Sequence, residues 1–305
     1  HPDPVSLLSA WPRDINRLGP ETYRQYAEKF PAIEKLALTA SSAGAFSVEQ
    51  VLGAQPDLAI FSLQSQPGAD DIARLEAAGV PVAIIDFFDQ PLENLEPSLR
   101  LLGDVSGRRA EAVAFLAFRR AHMDAVAARV AAASGPRPRV FLEPHAARTD
   151  ECCASPGRGN IGNYIEFAGG ENIGNVLQGV TGTLNLEYVI SADPQVYIAT
   201  GGPHMEGTAG LLIGPGYDEK RIRETLARVA ARNGISGLAA AREHRVHGLS
   251  HQLLNSPLDI LTVEALAKWI RPDLFPDLDP ERTRQEINER FLAVPIEGTY
   301  WVDLD

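Results

Sequence analysis

Cysteine is all but missing from this 305-residue chain: there are two, Cys152 and Cys153, and they are neighbours. Adjacency excludes a zinc finger or ribbon, whose paired ligands need at least two residues between them. With no third cysteine, a disulfide has only this pair to join, and a ring between neighbours is tight and rare. Two free thiols are therefore the expectation. Positive charge is also in deficit, 28 Lys and Arg against 40 Asp and Glu, for a net charge of −12. That balance excludes a nucleic-acid-binding protein, which needs a basic face to neutralise phosphates. It leaves room for a small anionic ligand, which a few local arginines can serve.

No apolar run approaches the roughly 20 residues that cross a bilayer as a helix. The opening "HPDPVSLLSAW" has no charged stretch followed by an apolar one, which suits a cytosolic chain or an exported one already processed. No HExxH, GxSxG, P-loop or GxGxxG at a strand–helix turn occurs. No catalytic residue is assigned. A nucleophilic cysteine needs an activating base, and His145, seven residues before Cys152, has no fixed place from sequence alone. A cysteine or metal hydrolase stays as the competing class.

What is present is a repeated βα rhythm. "LAIFS" (58–62) and "VAIIDF" (82–87) read as strands, and "ADDIARLEAAGV" between them as a helix that ends at Gly79. A second helix follows at about 91–102. Residues 106–134 contain no proline and are rich in alanine, arginine and leucine, which predicts one long helix of roughly 40 Å. "GPRPR" (135–139) stops it. The rhythm then resumes with strands at 140–143, 196–200 and 245–250, and helices at 160–170, 219–235, 257–270 and 280–291. The expectation is an α/β protein of two βα lobes with mostly parallel sheets. Residues 1–105 form the first lobe, 106–134 the connecting helix and 135–305 the second lobe.

One unit is written twice. "SVEQVLGAQPDLAIF" (47–61) and "NLEYVISADPQVYIA" (185–199) share Glu49/Glu187, Val51/Val189, Ala54/Ala192, Pro56/Pro194 and Ile60/Ile198. Val48, Val51 and Leu52 fall on one helical face and leave Glu49 toward solvent. Either glutamate alone is accounted for by the macrodipole of a first helical turn. Their coincidence in two lobes is not.

This ordered set, with "RVFLE" (139–143), "AGGENIG" (168–174) and the 256–280 region, resembles the periplasmic substrate-binding proteins of ABC importers. The resemblance is to the helix-linked, TroA-like class III that binds ferric siderophores, haem and vitamin B12. It implies a monomeric, non-enzymatic receptor of the bacterial envelope, with a lipid anchor ahead of residue 1 left open. It implies a ferric chelate held between the lobes and delivered to an ABC permease dimer, with no cofactor and no resident metal. It also gives Glu49 and Glu187 a role, meeting arginines of the permease.

Ligands of open parallel sheets bind beyond the carboxyl ends of strands. Candidate ligand-binding residues from the first lobe are Trp11, Arg13, Ser42 (with Ser41), Gln64 (with Gln66) and Phe87 (with Phe88). The second lobe contributes His145, Arg148, Arg158, His204 and His251, with Glu143 and Gln252 near them. A wrapped, often anionic chelate needs arginines and flat aromatics, which Arg13, Arg148, Arg158 and Trp11 supply. "SPGRGN" (155–160) has two readings, an anion cradle of backbone amides with Arg158 or an ordinary loop capped by Asn160. His122, in the long helix, is expected at the surface. A bare zinc or manganese site is not assembled, because the first lobe has only His1. Haem with His145, His204 or His251 as axial ligand, and vitamin B12, are the alternatives within the family.

Overall fold

The computed structural model describes residues 1–12, 14, 19–39, 46–149 and 152–304. Arg13, Ser41 and Ser42 lie outside the described residues. The amino-terminal part begins with β1 (Ala10–Trp11), α1 (Pro20–Lys29) and β2 (Ala37–Leu38), the two strands pairing in parallel. Then come α2 (Val48–Gly53), β3 (Ala59–Ser62), α3 (Ala69–Ala77), β4 (Val82–Ile85) and α4 (Pro91–Val105). β3 and β4 are parallel, as a strand–helix–strand unit requires, and Val48, Val51, Ala59, Leu75 and Val80 fill the core beneath them.

The predicted long helix is α5 (Arg109–Ala132). After it come β5 (Arg139–Glu143), β6 (Ala154–Pro156), α6 (Asn160–Phe167), β7 (Glu171–Asn172), β8 (Thr181–Thr183) and α7 (Leu186–Ala192). β9 (Val196–Gly201), α8 (Glu219–Ala230), α9 (Ala239–Arg242), β10 (Val246–Ser250), α10 (Asp259–Ile270), α11 (Pro280–Arg290) and β11 (Trp301–Asp303) complete the chain. The main sheet runs β11-β10-β9-β5-β7, parallel except for β11. Its central strands are apolar throughout because both faces are covered. Val140, Leu142, Val196 and Ile198 face one core, while Phe141, Tyr197 and Ala199 face the other. The molecule is a two-lobed α/β fold with mostly parallel sheets and one long helix between.

That helix is anchored to the second lobe by charge as well as by Phe118, Met123 and Val126. Arg119 forks onto Asp259 (2.8 and 2.6 Å), and the Tyr164 hydroxyl donates to the same carboxylate at 2.8 Å. Burial opposes the charge on Arg119, but Asp259 outweighs it and the guanidinium is held charged. His122 is not at the surface as expected. It is half-buried, with Nδ1 2.7 Å from the buried carboxylate of Glu264, because α10 packs along that side of the helix.

Among the direct contacts between the lobes is the turn that follows β4. Burial works to raise the Asp86 carboxyl, yet hydrogen bonds from Asn94 and the amides of Phe88, Gln90 and Asp89 hold it below its usual range. The turn so braced presents its carbonyls to the start of α6. The Asn160 amide donates to Asp89 O (2.8 Å) and its side chain to Phe88 O (2.8 Å).

Asp259→Ala leaves Arg119 buried with no counter-charge and is expected to destabilise the protein by about 3–5 kcal/mol. Urea unfolding measures this, and a loss below about 1 kcal/mol contradicts the anchoring role of the pair.

Candidate functional site

β5, β9 and β10 are neighbours and parallel, so their carboxyl ends open at the same edge of the sheet. The chain leaves β5 through Pro144 into His145, β9 through Gly201 into the turn Pro203–Met205 that carries His204, and β10 directly into His251. Gly201 permits the tight exit from β9, since a Cβ there would lie 2.0 Å from Leu211 O.

The three half-buried imidazoles meet. His145 Nδ1 lies 2.8 Å from His204 Nε2, and the His145 and His251 rings meet tilted by 39° at 3.9 Å between centroids. Thr200, on β9, organises the group. Its Oγ1 accepts the His145 amide at 3.0 Å and lies 2.9 Å from His251 Nδ1, while its carbonyl accepts the Ala146 amide. His145 is held at φ 52°, a region uncommon for residues with a side chain and favoured at functional sites. Among the described residues, no hydrogen bond engages Nε2 of His145 or of His251.

Burial, with the neighbouring His204 and Arg148 adding to it, lowers the His145 pKa to about 4. Burial beside His145 and His204 pushes His251 well below its usual range. Both rings are therefore neutral near pH 7, the form in which an imidazole offers a lone pair to a metal or accepts a hydrogen bond. The arrangement suits a polar or metal-bearing ligand presented at the sheet edge.

The other candidates are scattered. Trp11 is half-buried, packed on a small cluster of Val5, Phe30, Ile33 and Val294. Gln64 is exposed in the turn after β3, Phe87 is half-buried after β4, and Arg148 is exposed beside His145. Gln252 abuts Gly19, where a Cβ would lie 2.7 Å from its Nε2. The amino-terminal segment therefore reaches the histidine side of the second lobe.

Three expectations are corrected here. Glu143 is not a cleft residue: it is 2% exposed, gripped by both Arg232 nitrogens and by the Tyr197 hydroxyl, because its side chain points into the α8 side of the sheet. "SPGRGN" is neither an anion cradle nor a loop capped by Asn160. Gly159 is the cap residue; its amide goes to Asn163 Oδ1 and that of Asn160 to Asp89 O, while Arg158 Nε turns to Asn175 O at 3.4 Å. Cys152 and Cys153 are not free thiols but a disulfide, with Cα atoms 3.2 Å apart across a cis peptide.

Thr200, which joins the histidine group, is not among the strand-end residues singled out from the sequence. Its signal was its position, the last buried β9 residue before "GGPH".

A family model described as periplasmic binding protein matches residues 5–253. A comparison with curated proteins finds no match. Among solved structures, the TroA-like periplasmic binding protein FepB from Veillonella parvula superposes with a TM-score of 0.86 at 22% identity, covering 99% of this chain and 90% of that one. The molybdate periplasmic binding protein MolA from Haemophilus influenzae gives 0.70 at 16% identity, with 93% and 85% covered. A periplasmic heme binding protein from Pseudomonas aeruginosa gives 0.59 at 23% identity, with 94% and 93% covered. At these identities the superpositions establish the fold alone, the two-lobed α/β arrangement that these structures share.

The lowered His145 pKa predicts a pH dependence of stability. Between about pH 6.5 and pH 4 the unfolded chain binds this proton and the native protein does not, so stability falls as pH drops through that window. The share of His145 is about 2 kcal/mol at pH 5. His145→Gln is expected to reduce the difference between urea midpoints at pH 7 and pH 5, and an unchanged difference contradicts the assignment.

Proposed function

The chain belongs to the periplasmic binding protein family, and from that premise we propose that it captures a ferric chelate of the siderophore type for an ABC importer. Family membership carries the coarser statements: a substrate-binding protein of ABC-transporter type, periplasmic, with a small-molecule ligand and a membrane permease as partners. The finer statement rests on the convergence of His145, His204 and His251 at the carboxyl ends of β5, β9 and β10. Neutral imidazoles suit an iron complex with an open or exchangeable coordination position, and their N–H groups donate hydrogen bonds to the chelate's oxygens.

This departs from recognition by arginines and flat aromatics. Arg148 remains beside the histidines, whereas Arg158 is directed to Asn175. Haem is the second reading, favoured by the unengaged Nε2 of His145 and of His251, either of which is suited to an axial position.

Glu49 and Glu187 are the proposed permease contacts. Both are exposed in first helical turns, α2 capped by Ser47 and α7 by Asn185. Each lies away from its lobe's core, which supports a docking role over a ligand role.

Native mass spectrometry against a panel of ferric siderophores, haem and cobalamin tests the ligand. Retention of a ferric chelate is expected, with His145→Ala and His251→Ala weakening it tenfold or more. Exclusive retention of haem, recognised by its Soret band, selects the second reading. Selective retention of cobalamin, or tight chelate binding by both histidine variants, defeats the proposal.

A further inference from the structure

The two copies of the repeated unit present different surfaces around their matching glutamates. In the first lobe, Glu49 is already engaged: Arg74 Nη2 lies 2.7 Å from one carboxylate oxygen and Ser47 Oγ donates to the other at 3.0 Å. Its neighbours on α2 offer little apolar area, since Gln50 is polar and Leu52 turns into the Val48–Val51 core.

In the second lobe, the carboxylate of Glu187 has no ion-pair or hydrogen-bond partner among the described residues. The positions equivalent to Gln50 and Leu52 are Tyr188 and Ile190, and here both are exposed, Ile190 by 49%. The Tyr188 hydroxyl donates to Ile173 O at 3.0 Å, which ties α7 to the turn Ile173–Val176. That turn ends in Val176, 55% exposed. The result is an unpaired carboxylate on the same helical turn as the exposed Ile190, with Tyr188 linking that helix to the exposed Val176.

From this we infer that permease docking is asymmetric. The second lobe, through Glu187, Val176, Tyr188 and Ile190, is the anchor, and Glu49 of the first lobe is a steering contact. The occupant fitted to the anchor is a periplasmic surface of the permease that presents an arginine ringed by aliphatic or aromatic side chains. Apolar neighbours exclude water from the charge pair they surround and so strengthen it. A partner arginine at Glu49 has instead to compete with Arg74 in open solvent, where charges act on association rate and salt dependence more than on lifetime. The inference rests on the docking role given above to the two glutamates.

The test is binding kinetics of the unloaded protein on its cognate ABC permease in nanodiscs, at low and moderate salt. Val176→Ser/Ile190→Ser is expected to raise the dissociation rate tenfold or more, and Glu187→Gln to do likewise. Glu49→Gln is expected to slow association by no more than about threefold, an effect that disappears with salt. Arg74→Ala, which releases Glu49, is expected to accelerate association. All four variants change exposed side chains, so circular dichroism and urea midpoints are expected to stay at the wild-type values. Equal losses for Glu49→Gln and Glu187→Gln, or none for the apolar pair, overturn the asymmetry and leave the docking role standing. Unchanged kinetics for Glu49→Gln and Glu187→Gln together overturn the docking role itself.

Discussion

Parallel pairing of β9 with a strand on either side is the constraint from which the rest of this molecule follows. Parallel neighbours put all their carboxyl ends at one edge, so side chains more than a hundred residues apart, such as His145 and His251, arrive at the same place. Such a sheet has to be covered on both faces, which is why β9 is buried along its whole length and why helices stand on each side. Thr200 then converts shared position into shared geometry, bonding the loop that follows one neighbour and the histidine that follows the other.

Much of this was legible in the residues. The strands at 58–62, 82–87, 140–143, 196–200 and 245–250 and the long helix are all present, with ends shifted by only a few residues. Continuous apolar runs bounded by proline or glycine, and an alanine-rich span without either, are strong local signals. The three histidines were legible as strand-end residues, but their contact was not, because it depends on strand order and nothing local records that order. Glu143 was misplaced for a related reason. Position at a strand end does not say to which face a side chain points, and Arg232, 89 residues away, decides it. Short elements such as β1, β7 and β8 have two or three residues each, too few for any periodicity to show. The cysteine pair shows the same limit, since a prior on rarity carries no information about the local backbone.

The boundary between the lobes combines a firm and a soft connection. α5 is fastened to the second lobe by the buried Arg119–Asp259–Tyr164 group and by the half-buried His122 on the buried Glu264. The first lobe touches the second through a turn whose carbonyls take two hydrogen bonds from Asn160, through the Val5–Phe30–Ile33–Val294 cluster and through Gly19 against Gln252. Hydrogen bonds of that kind contribute about 1 kcal/mol each, far less than a fully buried charge network resists.

The antiparallel strand β11 closes the free side of β10, with Leu304 donating to Val246 O and Asp303 meeting His247. Fifty residues separate β10 from this cover. Until residues 301–303 return, β10 presents a bare row of amides and carbonyls that any extended segment can pair with. Chains ending before Trp301 thus expose the edge of β10, which in the structure is replaced by the shorter edge of the three-residue β11. Residues 301–303 therefore set how much pairing edge the main sheet presents on the β10 side.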